Sequence, residues 1–158
     1  MVIIYSFTLQ CKDSLAVEII ATVKQNGNPD RIIIVKQYRP PLKKISVEFP
    51  AGLIDSNETP EVASLRELEE ETWVSDNSPF FTNFVRGYKG SLKSISPVLS
   101  LEPGLTNATT VMAYVDIVLD SDVPPKQDLQ EDEFIEVLLV PRNELLKTLH
   151  GKENLKLL

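Results

Sequence analysis

Glu67, Glu70 and Glu71 are the side chains of this sequence whose type and spacing could do chemistry together. On a helix turning about 100° per residue they fall within an arc of roughly 100°. Carboxylates at i, i+3 and i+4 can converge on a hard divalent cation, and Mg²⁺ typically takes one or two of them together with substrate phosphate oxygens. Such a cluster would bridge the protein to an anionic substrate. The plainer alternative is a solvated acidic helix face. Like charges at these spacings destabilise a helix, so they need either solvent or a positive partner, and Arg66 can answer only part of that need.

The rest of the inventory narrows the chemistry. Cys11 is the only cysteine and His150 the only histidine, so an internal disulfide is impossible and Cys/His zinc sites lack ligands. Cys11 reads as a small packing residue and His150 as a surface residue. Sixteen basic against twenty-three acidic residues leave a net charge of -7, which gives nucleic acid or an anionic membrane no long-range attraction. No apolar run reaches the roughly 20 residues of a bilayer span. Val2 to Leu9 is apolar but lacks a basic segment before it and a small-residue cleavage site after it, so it reads as a strand rather than a secretory signal. A cytoplasmic protein, with the nucleus as the alternative, is the expectation.

The 158 residues, 42% hydrophobic, suit one domain with a sizeable core. Leu15–Lys24 and Arg31–Gln37 are rich in β-branched residues and flank the turn-forming run Gln25 to Asp30, which predicts a hairpin. Ile45–Phe49 predicts a short strand stopped by Pro50, with Ala51-Gly52 as its turn. Thr59 as N-cap, Pro60 at the first helical position and Glu61 at the positive helix end predict a helix running to Thr72. Its core face would be Val62, Leu65 and Leu68, opposite the glutamates. Lys93–Ser100, weakened by Pro97, Thr109–Leu119 and Glu133–Val140 predict strands, and Pro141–Leu149 a helix begun by its proline. Leu119 to Gln130 reads as an acidic loop. The expected fold is α/β (α+β), a mixed sheet with helices on its faces.

Written out, Gly52 to Glu58, seven further residues, and Arg66-Glu67-Leu68-Glu69-Glu70-Glu71 resemble the Nudix box, G-x5-E-x7-R-E-U-x-E-E-x-G-U, up to its last glycine. The resemblance implies a mixed β-sheet sandwiched between helices and a loop-helix-loop motif that holds Mg²⁺, or Mn²⁺, against a nucleoside diphosphate linked to another group. Gln37-Tyr38-Arg39-Pro40-Pro41, Glu48-Phe49-Pro50-Ala51-Gly52-Leu53-Ile54-Asp55, Glu102-Pro103-Gly104-Leu105-Thr106-Asn107 and Asp132-Glu133-Phe134-Ile135-Glu136-Val137 look like the ADP-sugar (ADP-ribose) pyrophosphatase branch of that family.

The pattern breaks where Trp73 stands in place of the last box glycine. Treating Trp73 to Arg86 as an insertion closes the box with Gly87-Tyr88 and puts Pro103 sixteen residues beyond that glycine, a spacing that marks ADP-ribose pyrophosphatases. The segment is either a late in-frame insertion or an ordinary lineage-specific loop. Its Phe80, Phe81 and Phe84 could form a lid or an exposed patch. Both termini read as shortened relative to the family, without the N-terminal tryptophans that stack on adenine and help form the dimer, so the resemblance suggests a homodimer that this chain is poorly equipped to make.

Carried over by position, the resemblance implies that Glu67 and Glu71 are the principal Mg²⁺ ligands, assisted by Glu70 and the Ala51 carbonyl, and that Arg66 and Glu58 form a structural ion pair. It implies that Glu133, with Glu70 as a further candidate, acts on the attacking water, that Arg39, Leu53 and Glu102 contact substrate, and that Glu48 adds a carboxylate nearby. The activity implied is Mg²⁺-dependent hydrolysis of ADP-ribose or a related ADP-sugar to AMP and a sugar 5-phosphate. The alternatives are a Nudix hydrolase of another nucleoside diphosphate derivative, or a catalytically impaired Nudix-fold binding protein or isoform.

Overall fold

The computed structural model describes residues 15–72, 89–118 and 135–150. Its elements are β1 (Leu15–Lys24), β2 (Arg31–Arg39), β3 (Lys44–Glu48), β4 (Ala51–Leu53), α1 (Pro60–Thr72), β5 (Lys89–Ile95), β6 (Leu99–Ser100), β7 (Thr109–Val118), β8 (Ile135–Pro141) and α2 (Leu145–His150), the last entered through a short 3₁₀ turn at Arg142–Glu144.

The strands form one mixed sheet. Its main path runs β3-β2-β1-β7-β5, with β4 on β1, β6 on β7 and β8 on β2. β1 and β7 run parallel in unbroken register from Leu15↔Thr109 to Lys24↔Val118. Along them Val17, Ile19, Ala21 and Val23 alternate with more exposed residues, as do Val111, Ala113, Val115 and Ile117. That period of two puts one apolar face of the sheet under α1, where Ala63 and Leu68 complete the larger core. A smaller cluster of Ile32, Ile34 and Val140, with Phe49, Leu138 and Leu145 against it, lies beneath α2. β2 is buried on both faces from Ile32 to Val35, as its continuous apolar run requires.

The hairpin between β1 and β2 forms, but only two registered pairs join its strands, Thr22↔Ile32 and Val23↔Arg31. The strands then diverge, and the N-terminal half of β1 pairs instead with β4, Ala16↔Leu53 to Glu18↔Ala51. Ala51-Gly52 is therefore not the turn expected after Pro50. The edge of β1 vacated by β2 offers backbone partners, and a short antiparallel strand satisfies them.

Other boundaries shift for equally local reasons. The expected strand Lys93–Ser100 is two strands, β5 and β6, separated at Pro97, which has no N–H to donate. Beside the break, the Ser96 N–H donates to the Met112 carbonyl at 2.9 Å, and the Met112 N–H donates to the Ser96 hydroxyl at 2.9 Å. Pro141 ends β8, in register with Arg31, rather than beginning a helix. The next amide, Arg142 N–H, donates to the Asp30 carbonyl at 2.8 Å and ties the chain to the β1–β2 turn. In α1 Ala63, Ser64, Leu68, Glu71 and Thr72 are buried and the expected Leu65 packs partly buried against the core, while Val62 is 47% exposed. Leu119 to Gln130, Trp73 to Arg86 and Cys11 lie outside the described residues. Among the described residues no helix is long and apolar enough to cross a membrane.

Candidate active site

The site grows from the junction of β4, the loop after it and α1. Thr59 caps the helix, its carbonyl accepting from Ala63 N–H at 2.9 Å and its hydroxyl from Val62 N–H at 3.5 Å. Glu58, one residue before the cap, folds the loop back on itself. Its carboxylate accepts the Asp55 N–H at 3.3 Å, and its own N–H donates to the Asp55 carbonyl at 3.0 Å.

Arg66 fastens that loop to the helix. Its Nε and one terminal nitrogen donate to the two Glu58 oxygens at 2.9 and 2.8 Å, and the same terminal nitrogen reaches the Leu53 carbonyl at 3.0 Å. The other terminal nitrogen donates to Glu67 at 2.7 Å and to Glu70 at 3.2 Å. A planar guanidinium with five donors is suited to span such a set. The same partners hold the Arg66 proton far more firmly than usual, chiefly through Glu58, and Arg66 holds the Glu58 carboxyl below the ordinary carboxylate range.

The three helix glutamates occupy different settings. Glu67 is nearly covered, with 13% of its side chain exposed, whereas Glu70 is 38% exposed. Glu71 is buried and accepts the Ala51 N–H at 3.1 Å, so one carboxylate is drawn toward the core side rather than standing with a solvated face. Glu67 lies over the backbone of β4. A Cβ placed on Gly52 would come within 1.9 Å of the Glu67 carboxyl carbon. Glycine at this position is what lets the helix carboxylate approach the strand. A Gly52→Ala variant is expected to keep its melting temperature within a few degrees, because the obstructing atoms are the end of a flexible side chain. The Glu67 carboxylate must move aside, so, if Glu67 ligates a divalent cation, weakened binding of that cation in a titration followed by thermal shift, with the fold intact, is the expected result.

The donor set suits a hard cation. All of its members, Glu67, Glu70, Glu71 and the Ala51 carbonyl, are oxygens, the ligand type Mg²⁺ prefers. The last turn of α1 also carries no basic residue, although carboxylates there oppose the negative end of the helix dipole. Among the described residues no group of three or more acidic, histidine or cysteine side chains is already gathered to hold an ion. The physical reason is visible: Arg66 engages Glu67 and Glu70 while Glu71 is held on Ala51. A cation here would compete with Arg66 for Glu67.

Ala51 also opens onto a cavity of about 500 Å³ on the α2 side of the sheet. Arg39 and Glu48, on β2 and β3, project into it as a forked ion pair, Nε to one carboxylate oxygen at 2.8 Å and a terminal nitrogen to the other. The Arg39 guanidinium lowers the Glu48 pKa. The forked pair of hydrogen bonds that Arg39 could offer a phosphate is thus directed at Glu48. Apolar walls come from Ile34, Val47, Phe49 and Leu101, with Leu145 and Leu149 of α2 closing one side.

Of the residues singled out by sequence, the structure sets Glu67 over Gly52 and Glu71 on the Ala51 N–H, leaves Glu70 on Arg66, and places Arg39 and Glu48 in the cavity that Ala51 lines. Leu53 is 60% exposed and is not part of the cavity lining, although its carbonyl holds Arg66. Glu102 is exposed in the loop after β6, where its carbonyl accepts from Leu105 and Thr106 N–H at 2.9 Å, and its neighbour Leu101 lines the cavity instead. Glu133 lies outside the described residues. Sequence reasoning missed Glu18, which projects into the same cavity. A signal for it existed, since Glu18 is the only charged residue of β1 before Lys24.

The two ion pairs predict an acid-sensitive fold. A carboxylate held below its usual pKa contributes stability that is fully present above the ordinary carboxylate range and is lost as pH falls through the lowered value. Urea unfolding between about pH 6 and pH 3 should show falling stability, and Arg66→Ala should flatten part of that slope by releasing Glu58. An unchanged slope would mean that the Arg66–Glu58 pair is not its source.

The family model for the NUDIX domain matches residues 14–158. The chain is 40% identical over 144 residues to the mouse ADP-sugar pyrophosphatase, covering 90% of this chain and 60% of that protein. It is 39% identical over 118 residues to the ADP-ribose pyrophosphatase of Saccharomyces cerevisiae, covering 73% and 45% of the two chains. With the ADP-ribose pyrophosphatase of Bacillus subtilis the identity is 33% over 123 residues, covering 78% and 58%. The chain thus spans roughly half to three fifths of the length of these curated relatives. A crystal structure of an ADP compounds hydrolase superposes with a TM-score of 0.64 at 20% identity, over 90% of this chain and 66% of that one, which shows the shared fold. With the domain matched across nearly the whole chain and the loop-helix-loop in place beside β4, this protein belongs to the Nudix family.

Proposed function

We propose that this chain hydrolyses the diphosphate linkage of ADP-ribose or a related ADP-sugar, giving AMP and a sugar 5-phosphate, with Mg²⁺ or Mn²⁺ as its metal. The observation that carries the proposal is the approach of Glu67 to Gly52 and of Glu71 to Ala51 on β4, whose Ala51 also lines the cavity of about 500 Å³. In this reading β4 links the carboxylates proposed to hold the metal to a cavity with room for a nucleotide. The names of the relatives from mouse, yeast and Bacillus subtilis support the substrate class.

Hydrolysis of a phosphoric anhydride is mostly a matter of positioning and charge neutralisation. A divalent cation, when bound, would supply charge neutralisation at the diphosphate oxygens. In this reading Glu67 and Glu71 are its main ligands, assisted by Glu70 and the Ala51 carbonyl. Arg66 and Glu58 hold the motif in shape, and Arg39 turns from Glu48 toward a phosphate when substrate binds. Glu133 orients or deprotonates the attacking water, while Leu53 and Glu102 meet the substrate at the rim. The proposal extends to a cytoplasmic enzyme of one domain that acts alone or as a homodimer and carries an insertion at Trp73 to Arg86.

The test is AMP release from ADP-ribose by the purified chain with Mg²⁺ and with the metal chelated, beside a variant lacking Trp73 to Arg86. Metal-dependent release by the full chain is the expected result. Release only after the deletion would make the insertion inhibitory, and silence in both folded proteins would sink the assignment to ADP-sugars.

A further inference from the structure

The lining of the cavity holds one charge that the proposed roles leave unused. Glu18 projects from β1 directly opposite Ala51 in the β1–β4 register. Residues opposite each other on an antiparallel pair present their side chains to the same face with Cβ atoms about 4.5–5.5 Å apart. The Glu18 carboxylate is therefore within one side-chain length of the strand proposed to hold the metal. It is half-buried, and it makes no hydrogen bond or ion pair with any described residue. Arg39 and Glu48 answer each other's charge, so the described lining is left with one uncompensated negative group.

A carboxylate in a largely apolar cavity needs donors. It cannot be meant for the phosphates, whose charge it repels. Beside the diphosphate of ADP-ribose the nearest donors are ribose hydroxyls, the adenine amino group lying beyond a ribose, and two neighbouring hydroxyls can be received by the two oxygens of one carboxylate. We infer that Glu18 is a specificity-determining residue that accepts hydrogen bonds from the hydroxyls of a ribose adjoining the diphosphate. The inference rests on the hydrolase reading and deepens it. Substrates with a hydroxyl-bearing pentose at that position gain from Glu18, and substrates lacking those hydroxyls leave a carboxylate desolvated without a partner.

The experiment compares the full-length wild type with Glu18→Ala and Glu18→Gln at saturating Mg²⁺, on ADP-ribose and two analogues. One analogue lacks the hydroxyls of the terminal ribose and the other lacks those of the adenosine ribose. On ADP-ribose, Glu18→Ala should raise KM about tenfold or more with kcat changed by less than about threefold, and Glu18→Gln, which keeps one accepting oxygen, should fall between. The KM penalty should vanish with one of the two analogues, which identifies the ribose concerned. A general packing defect would burden all three substrates alike, so a penalty that persists on both analogues overturns the inference, as does an Ala variant indistinguishable from wild type. Failure of both the folded wild type and the folded variant lacking Trp73 to Arg86 to hydrolyse ADP-ribose would instead refute the hydrolase reading and the Glu18 assignment with it; if only the deletion variant is active, the Glu18 substitutions are compared in that background.

Discussion

Replacing Glu71 by glutamine is expected to lower kcat on ADP-ribose by about three orders of magnitude, or roughly 4 kcal/mol of transition-state stabilisation, while leaving the fold in place. The argument rests on the two demands placed on this side chain. Structurally, it must fill a buried position and accept the Ala51 N–H. Glutamine has the same length and keeps an acceptor oxygen, so the helix should stay docked on β4. Chemically, in the proposed reading, Glu71 must offer a negative oxygen to a cation beside the Ala51 carbonyl, and a neutral amide is a poor ligand for Mg²⁺. Parallel measurements of AMP release, thermal unfolding and the Mg²⁺ dependence of both separate the two demands. Retention of activity within about threefold would remove Glu71 from the metal site, since losing a charged ligand should cost far more.

Arg66→Ala is expected to destabilise the protein by about 2–4 kcal/mol, a drop of roughly 5–15 °C in melting temperature for a chain of this size. One guanidinium serves Glu58, Glu67, Glu70 and the Leu53 carbonyl. Its removal leaves Glu58, a covered carboxylate with 11% of its side chain exposed, without its ion-pair partner, and lets Glu67 and Glu70 repel one another. Arg66→Lys should recover only part of the loss, because an ammonium keeps the charge but not the fork. The alanine variant should also gain more thermal stability from added Mg²⁺ than the wild type does. With Arg66 gone Glu67 and Glu70 lose a shared cationic partner, so a cation binding them gains more, and binding to the folded state alone raises its stability. Thermal melts with and without millimolar Mg²⁺ check this, and equal metal-induced shifts in the two proteins would show that Arg66 and the cation do not share those carboxylates.

The two variants probe opposite sides of one balance. In the arrangement seen here Arg66 is the positive partner that the acidic helix requires, and in the proposed active arrangement a cation takes over part of that role at Glu67. Arg39 and Glu48 repeat the pattern across the cavity, a forked pair from which a substrate phosphate would draw the guanidinium. Both pairs keep charged groups satisfied at the proposed site.

By itself the sequence determined α1, because its signals are local: the Thr59 cap, Pro60 at the first turn and good helix formers up to Thr72. It likewise determined the long strands of the sheet through β-branched composition, and the spacing of Gly52, Glu58, Arg66, Glu67, Glu70 and Glu71, which is read along the chain without knowing how it folds. The tertiary structure decided what depends on partners distant in sequence. Ala51-Gly52 becomes a strand because β1 splits its edge between β2 and β4, a pairing no local propensity encodes. Val62 points outward because the face of α1 packed on the sheet carries Ala63, Ser64 and Leu68. Glu71 is buried because an amide on β4 receives it, and Glu18 belongs to the cavity because the same pairing sets it opposite Ala51. Periodicity states which residues share a face of one element; only the packing of elements states what that face meets, and the chemistry of a site is made there.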